Sequence, residues 1–520
     1  MATHATPRSF QWSERHTIAY GVGLLSLGLS LWQLTKPGFF SFSDSGVYLA
    51  ASIHLIYRSV PYQDFVFVQP PGIMLIMSPV AIISRIFGSH DGFVVARVLS
   101  ALVTALNATL LAWLVRHRGR AAMLIAGGGL ALLPVASFVS TGVILEPYLI
   151  FFVLLGSLTV FPYERARTEL STRRLKSAGL FFGLAALVKL WAFFPFLALV
   201  ICLAPRYRLR VLYMIRSAVV WFVALCLPFY VLAGNKFISQ VFVEQLTRRA
   251  NVTNDGGVIG RLITMTGFSN TSLAPSATEV IIAFAALAAI VALAFTRRAR
   301  QSTVDNYLLV AALVSVGGLL IGPDSYTYYG YFTAPFLLGL LGVSLGRLSV
   351  PIRRVLGTQR ASKGPRRFGY AAYIIVAAAL VVALIMEGTS FYSSYTNEHG
   401  YSGVPFSAIT NLIPAGACVV YDQVSYGVFA NRLQSNDPNC PNVVDPYGIG
   451  MAWSYQLSAP APALVAEWKS YLEAAQYVVL SSPYASGIPL NQSLETWFNS
   501  NYYLLFGQSN LNIYMNRSTS

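Results

Sequence analysis

Residues 206–233 read RYRLRVLYMIRSAVVWFVALCLPFYVLA. Arg206, Arg208 and Arg210 come first, and then an apolar block at 211–233. A block of this length matches the ~20 residues a helix needs to cross a bilayer core. Reading outward from it, similar blocks recur in both directions, at roughly 17–36, 92–115, 121–139, 147–162, 177–188, 190–204, 277–296, 305–321, 331–346 and 369–387. With 211–233 they make eleven expected spans, and the fifth and sixth are short enough to form a tight hairpin. Composition agrees: of 520 residues 55% are hydrophobic and 11% charged, against about a quarter charged in soluble domains. The first block ends at Lys36-Pro37-Gly38 without a small-residue cleavage site, so it reads as a retained span rather than a leader.

A net charge of +16 would suit a nucleic-acid binder, but its distribution argues against one. Basic residues gather in alternate connections: Arg8 and Arg15, Arg116 to Arg120, Arg165 to Lys176, Arg206 to Arg210, Arg297 to Arg300, and Arg347 to Arg367. That set holds 23 of the 36 Lys and Arg. By the positive-inside rule these connections and the N-terminus are cytoplasmic, which suits a cell (inner) membrane protein. An odd number of spans then puts 388–520 outside, where three basic residues face seven acidic ones. The expected fold is an all-α polytopic transmembrane bundle over 1–387 with a C-terminal extracytoplasmic α/β domain over 388–520. In that tail, Ala417 to Tyr421 and Tyr477 to Leu480 read as buried strands, and 502–506 and 511–514 as a hairpin across Gly507-Gln508-Ser509-Asn510. Cys202 and Cys226 lie within spans. Cys418 and Cys440 lie in the exported tail, where either a disulfide or two thiols is open.

Two outer loops, 37–91 and 234–276, are too long to be turns, and loops of this length carry function or structure of their own. In the first, Ser45 to Ser59 shows helical apolar spacing and is expected to lie along the membrane interface. Asp44, just outside the first span, is a candidate base for an attacking hydroxyl; helix capping is its competing reading. Arg58 suits a phosphate or carboxylate, and Asp64 a metal or sugar hydroxyls; a proline-pinned loop with solvated charges explains them equally. Glu146 stands at the outer mouth of two spans, where ionisable residues tend to be functional, although Pro147 beside it also suits a carboxylate at a helix N-terminus. Lys189, at the outer end of the fifth span, suits a lipid phosphate head, with snorkelling as the alternative. Arg97 has the same double reading. In the second loop Arg248, Arg249 and Arg261 suit a leaving phosphate or a solvated loop. Tyr328, Tyr329 and Tyr331 read either as an interfacial belt or as sugar-stacking groups.

Taken in order and on one side of the membrane, these pieces resemble the GT-C class of lipid-linked-sugar glycosyltransferases, especially the protein mannosyltransferase and lipid A aminoarabinose transferase superfamily. The carriers are Asp44 after span one, Val60-Pro61-Tyr62-Gln63-Asp64, Gln69-Pro70-Pro71-Gly72, Arg97, Glu146, the Gly183-to-Lys189 segment and Tyr328-Tyr329-Gly330-Tyr331 before Pro335. In the tail, Ile413-Pro414-Ala415-Gly416 and Asn431-Arg432 are similar to the soluble domains of such bacterial enzymes. The resemblance implies transfer of a sugar from a polyprenyl phosphate or diphosphate donor to a glycan, lipid or protein acceptor, in cell-envelope synthesis. Asp44 would be the base, Lys189 and loop arginines would hold the donor phosphate, and Glu146 would shape the sugar or metal site. Ser45 stands where many relatives have a second acid, so a divalent metal is an open question and no other cofactor is implied. A single displacement would invert the anomeric centre. Beyond membrane lipids, no nucleic-acid partner is expected. Two other readings stand beside this one: a lipid or polysaccharide flippase or transporter, and a catalytically silent assembly subunit. Ionisable residues gathered at span ends rather than at the midplane favour surface chemistry.

Overall fold

The computed structural model describes residues 8–35, 43–161, 170–247, 257–269, 271, 273–296, 302–322, 324–355, 404–452, 462–481, 488–508 and 510–519. The expected span at 369–387 lies outside them. Among the described residues, six helical stretches are long and apolar enough to cross a membrane: Glu14–Leu34, Ser89–Leu114, Leu190–Ala233, Ala277–Thr296, Thr303–Ile321 and Tyr329–Leu348. A seventh follows if the bent pair Arg120–Leu132 and Pro134–Ser140 is one span. Its 55° bend sits where Leu133 turns extended ahead of Pro134, as a residue before proline tends to do. The helices Leu145–Val160 and Thr172–Val188 are apolar but shorter.

Lipid exposure is legible in what the bundle leaves uncovered. Ile281, Ile282 and Leu293 on Ala277–Thr296, and Val219, Val220 and Val231 on Val211–Ala233, are exposed. Exposed apolar faces on helices of this length suit contact with hydrocarbon. The chain is a multi-pass membrane protein.

Two sequence expectations change. The segments 177–188 and 190–204 do not form a hairpin packed on itself: Thr172–Val188 packs along Val211–Ala233, whereas Phe193–Tyr207 packs against Thr303–Ile321. The Ser43–Ile56 helix does not lie at a lipid interface. Every residue from Ser45 to His54 is buried, because Gly72–Phe87 covers one side and Val424–Phe429 of the C-terminal unit another. A helix apolar all round is a buried helix.

The C-terminal unit is built on a four-stranded sheet, β1 (Val419–Tyr421), β2 (Tyr477–Leu480), β3 (Tyr502–Gln508) and β4 (Leu511–Asn516), in the order β1-β2-β4-β3. β1 runs parallel to β2, and the other pairs are antiparallel. Short helices cover it, with Trp468 and Leu472 of Pro462–Ala474 fully buried. Cys418 and Cys440 are joined in a disulfide. The unit is seated on the bundle through specific contacts. Asn431 Oδ1 accepts from the His90 amide at 2.9 Å and from Ser89 Oγ at 3.2 Å, and Phe429 meets Phe93 edge-on at 4.6 Å. Gly46 is required here, since a Cβ would lie 2.6 Å from the Cα of Ser425.

Charge is buried at the far end of the bundle. Asp305, at the start of Thr303–Ile321, receives His117 Nε2 at 2.9 Å, Arg118 and, at 3.1 Å, Arg347 Nη1. Arg347 and Asp305 are fully buried. Tyr329 and Arg347 share one helix and are 18 residues apart, so about 27 Å separates their levels. That is close to the ~30 Å hydrocarbon thickness.

Candidate active site

Around Tyr329, at the other end, three helix ends meet. Glu146 occupies the first turn of Leu145–Val160, where the helix dipole favours a carboxylate. Lys189 is the extended residue (φ −156°, ψ 134°) that ends Thr172–Val188, its amide still bonded to Ala185 O at 3.1 Å. That single extended residue turns its side chain onto Glu146: Nζ donates to Oε1 at 2.6 Å, with both side chains buried. The ammonium also lies 3.7 Å from the Trp191 ring centroid, 4.4 Å from Tyr329 and 5.9 Å from Tyr328. Ring faces attract a desolvated cation by about 2 kcal/mol or more, so Lys189 is caged.

Asp44 lies in the first turn of Ser43–Ile56. Tyr328 OH donates to its Oδ2 at 2.9 Å. One turn on, Tyr48 is buried beside it. Burial first, and then the negative charge of Asp44, raise both phenols well above their usual 10, so they stay protonated donors. Glu146 and Asp445 act on Tyr48 as well, which puts three carboxylates and Lys189 in one electrostatic neighbourhood. The C-terminal unit closes this neighbourhood. Asp445 caps the Gly448 amide at 2.8 Å, and Tyr447 OH meets Tyr326 OH at 3.0 Å, with Tyr326 stacked on Tyr328.

The proline-rich block has a positioning role. Gly72 lies against the Leu187–Val188 backbone, where a Cβ would come within 2.5 Å of Leu187 O. Gln69-Pro70-Pro71-Gly72 thus abuts the segment that presents Lys189. Tyr62 OH donates to Gln69 O at 2.8 Å, Gln240 joins Tyr62 O and the Phe67 amide, and Gln245 donates to Val68 O.

Other candidate residues go elsewhere. Asp64 is exposed and accepts the Val60 amide at 2.7 Å, closing its own turn. Arg58 is exposed at φ 71°. Arg97 is buried and donates to Thr141 O at 2.6 Å, bracing the approach to Glu146. Arg261 binds the carbonyls of Leu319, Leu320 and Gly322 at the end of Thr303–Ile321. Tyr331 turns inward to Asn107 at 3.2 Å. Arg248 and Arg249 lie outside the described residues. Among the described residues, no three His, Cys, Asp or Glu side chains gather as a metal site.

Sequence reading passed over Tyr48, Trp191, Asp445 and Tyr447. Tyr48 had a signal, since i+4 spacing from Asp44 shares a helix face. Trp191 had only its nearness to Lys189. Tyr447 had none.

The assembled group can orient a carboxylate for proton transfer beside a held cation, under a polar cover. Comparison with known proteins agrees with this architecture. Residues 67–323 match the family model of glycosyltransferase family 87. Among solved structures, ArnT from Cupriavidus metallidurans in the apo state superposes with a TM-score of 0.58 at 16% identity, covering 96% of this chain and 97% of that one. The same protein bound to undecaprenyl phosphate gives 0.57 at 15%, covering 96% and 98%. The archaeal oligosaccharyltransferase AglB from Archaeoglobus fulgidus, in complex with an inhibitory peptide and a dolichol-phosphate, gives 0.53 at 14%, covering 98% and 75%. No curated protein matches the chain by sequence. The chain is thus a multi-pass membrane protein with the fold of these structures, and its residues 67–323 match the model of glycosyltransferase family 87.

Proposed function

We propose that this protein transfers a sugar from a polyprenyl-phosphate-linked donor to an acceptor hydroxyl on the outer face of the cell membrane, with inversion, in cell-envelope glycan or glycoconjugate synthesis. The observation that carries the reading is the Asp44 carboxylate, held by Tyr328 at 2.9 Å beside the caged Lys189. Asp44 takes the acceptor proton as the hydroxyl attacks the anomeric carbon, and the lipid phosphate leaves with the bonding pair. Lys189 faces the departing phosphate, and Trp191 and Tyr329 keep it desolvated, which strengthens its field. Among the described residues three carboxylates face one ammonium, and we assign Arg248 and Arg249 to complete the neutralisation of a phosphate. Glu146 orients Lys189 and the sugar. That ArnT and AglB have been seen with undecaprenyl phosphate and dolichol-phosphate supports a lipid phosphate as donor handle. The membrane-delivered donor also suits a site about one bilayer thickness from the basic end of the bundle. The test is transfer from labelled polyprenyl-phosphate sugars by purified protein in lipid nanodiscs. Asp44→Asn is expected to lower the rate at least 100-fold, within the ~10²–10⁴ range of a positioned base. Transfer that survives Asp44→Asn overturns the assignment, and movement of the lipid without a new glycosidic bond favours a transporter.

A further inference from the structure

A concave site lies at the seam between the first outer loop and the C-terminal unit. It is a cavity of about 270 Å³, and its lining includes His54, Tyr57 and Ser59 on one side and Gln434, Asp437 and Asn442 on the other. It is near the last turn of the Ser43–Ile56 helix, whose first turn holds Asp44. Ten residues of helix put it about 15 Å away, the reach of a few sugar units rather than of the reacting hydroxyl.

Its chemistry is selective. Among the described residues no Lys or Arg lines it and Asp437 does, which disfavours an anion. His54 is buried and neutral, its imidazole lowered to about 4 by desolvation. The Gln434 amide nitrogen is buried and has no hydrogen-bond partner among the described residues. An unsatisfied buried donor is destabilising, and a ligand acceptor offsets that cost. Carboxamides of Gln and Asn pair a donor with an acceptor, as vicinal hydroxyls do. Tyr57, half exposed at 43%, gives an aromatic face and is itself steadied by Arg85, 5.1 Å over the ring. The wall is preformed: the Cys418–Cys440 disulfide closes the loop that carries Gln434, Ser435 and Asp437. The volume sits just under the ~300 Å³ at which drug-sized ligand pockets begin, which admits one or two sugar rings.

The geometry points to a distal acceptor subsite here, one that takes a neutral, hydroxyl-rich oligosaccharide whose growing end reaches Asp44. This inference rests on the glycosyltransferase reading above. The subsite makes the enzyme prefer an extended glycan acceptor over a monosaccharide, and a neutral one over a uronic-acid-bearing one.

The experiment is saturation-transfer NMR on the full-length protein in nanodiscs. The probes are neutral gluco-, manno-, galacto- and arabino-tetrasaccharides, with a tetragalacturonate as the charged control. At least one neutral probe is expected to bind wild type and Asp44→Asn equally. Its affinity is expected to fall at least tenfold in Gln434→Ala and in Tyr57→Ala, with unchanged melting temperatures certifying the fold. In the transfer assay the same two variants raise KM for the tetrasaccharide at least fivefold and leave kcat and the monosaccharide KM unchanged. Binding that ignores both substitutions, binding of none of the neutral probes, or equal binding of the charged control overturns the subsite. Loss of the transferase reading is separate: it shows as transfer unaffected by Asp44→Asn, whatever the glycan binds.

Discussion

Replacing Lys189 by Met tests the buried pair most directly. Nζ and Oε1 are 2.6 Å apart, and the two side chains are 9% and 1% exposed. Removing one member of such a pair leaves the other charge stranded, at a cost of about 3–5 kcal/mol. Loss of the ammonium from its Trp191 and Tyr329 contacts adds up to ~2 kcal/mol. Glu146→Gln strands the ammonium instead, at a similar cost eased by the remaining rings. The double variant Glu146→Gln/Lys189→Met strands neither charge, and buried pairs replaced together by residues of similar volume are often neutral. The two changes are therefore expected to couple by at least about 2 kcal/mol, well above the ~0.5 kcal/mol scatter of independent sites. The assay is denaturant unfolding of the four proteins in micelles, followed by transfer kinetics in nanodiscs. Stability is expected to return in the double variant while transfer stays at least 100-fold down, because the cation that faces the phosphate is gone. Strictly additive destabilisation would refute the pairing. A stable double variant with wild-type transfer would remove Lys189 from the donor site.

Tyr328→Phe deletes the bond to Asp44 and is expected to lower kcat about 10- to 100-fold, equivalent to the ~1.5–3 kcal/mol of a hydrogen bond to a charged group; a fall in melting temperature without a change in kcat would contradict this. Cys418→Ser/Cys440→Ser is expected to cost the C-terminal unit about 3 kcal/mol, read by hydrogen exchange confined to 404–519, since the bridge closes a chain separation of 22. His54 sets a pH dependence: the unfolded chain takes up its proton near 6.5 and the folded one only near 4. Stability is thus lost as pH falls from 6.5 towards 4 and is complete above that window; His54→Gln flattens the profile of melting temperature against pH. Asp422 works in the opposite sense. Burial raises its carboxyl to about 6 against its hydrogen bonds from Ser481, so the folded unit holds that proton more tightly. Stability gains as pH falls through 6 towards 4, and Asp422→Asn is expected to remove that gain.

Much of the fold is a local property and could be read along the chain. Length and apolarity at 211–233 decide a span without any neighbour, and arginines gathered beside it mark one of its ends. Strands at 419–421 and 477–480 were legible because a short, largely buried run rich in valine has few other uses. The Ser43–Ile56 helix was placed wrongly at an interface because its periodicity reports an apolar face and not what covers it. Only the folded chain shows the Gly72–Phe87 helix and the C-terminal unit doing so.

The candidate site divides in the same way. Sequence by itself determined a membrane bundle, an uneven charge and a set of polar residues near span ends, since each follows from solvation of a residue in its own segment. It could not tell Asp64, which bonds its own turn, from Asp44, which meets Tyr328 across the fold. Nor could it separate Arg261, spent on the carbonyls of a helix end, from Lys189, caged against Glu146. Those outcomes belong to tertiary structure. They depend on close backbone approaches at Gly46 and Gly72 and on one extended residue at position 189. Such contacts join residues far apart in the chain, 43 positions for Lys189 and Glu146 and more for the two glycines, and no period in the sequence records them.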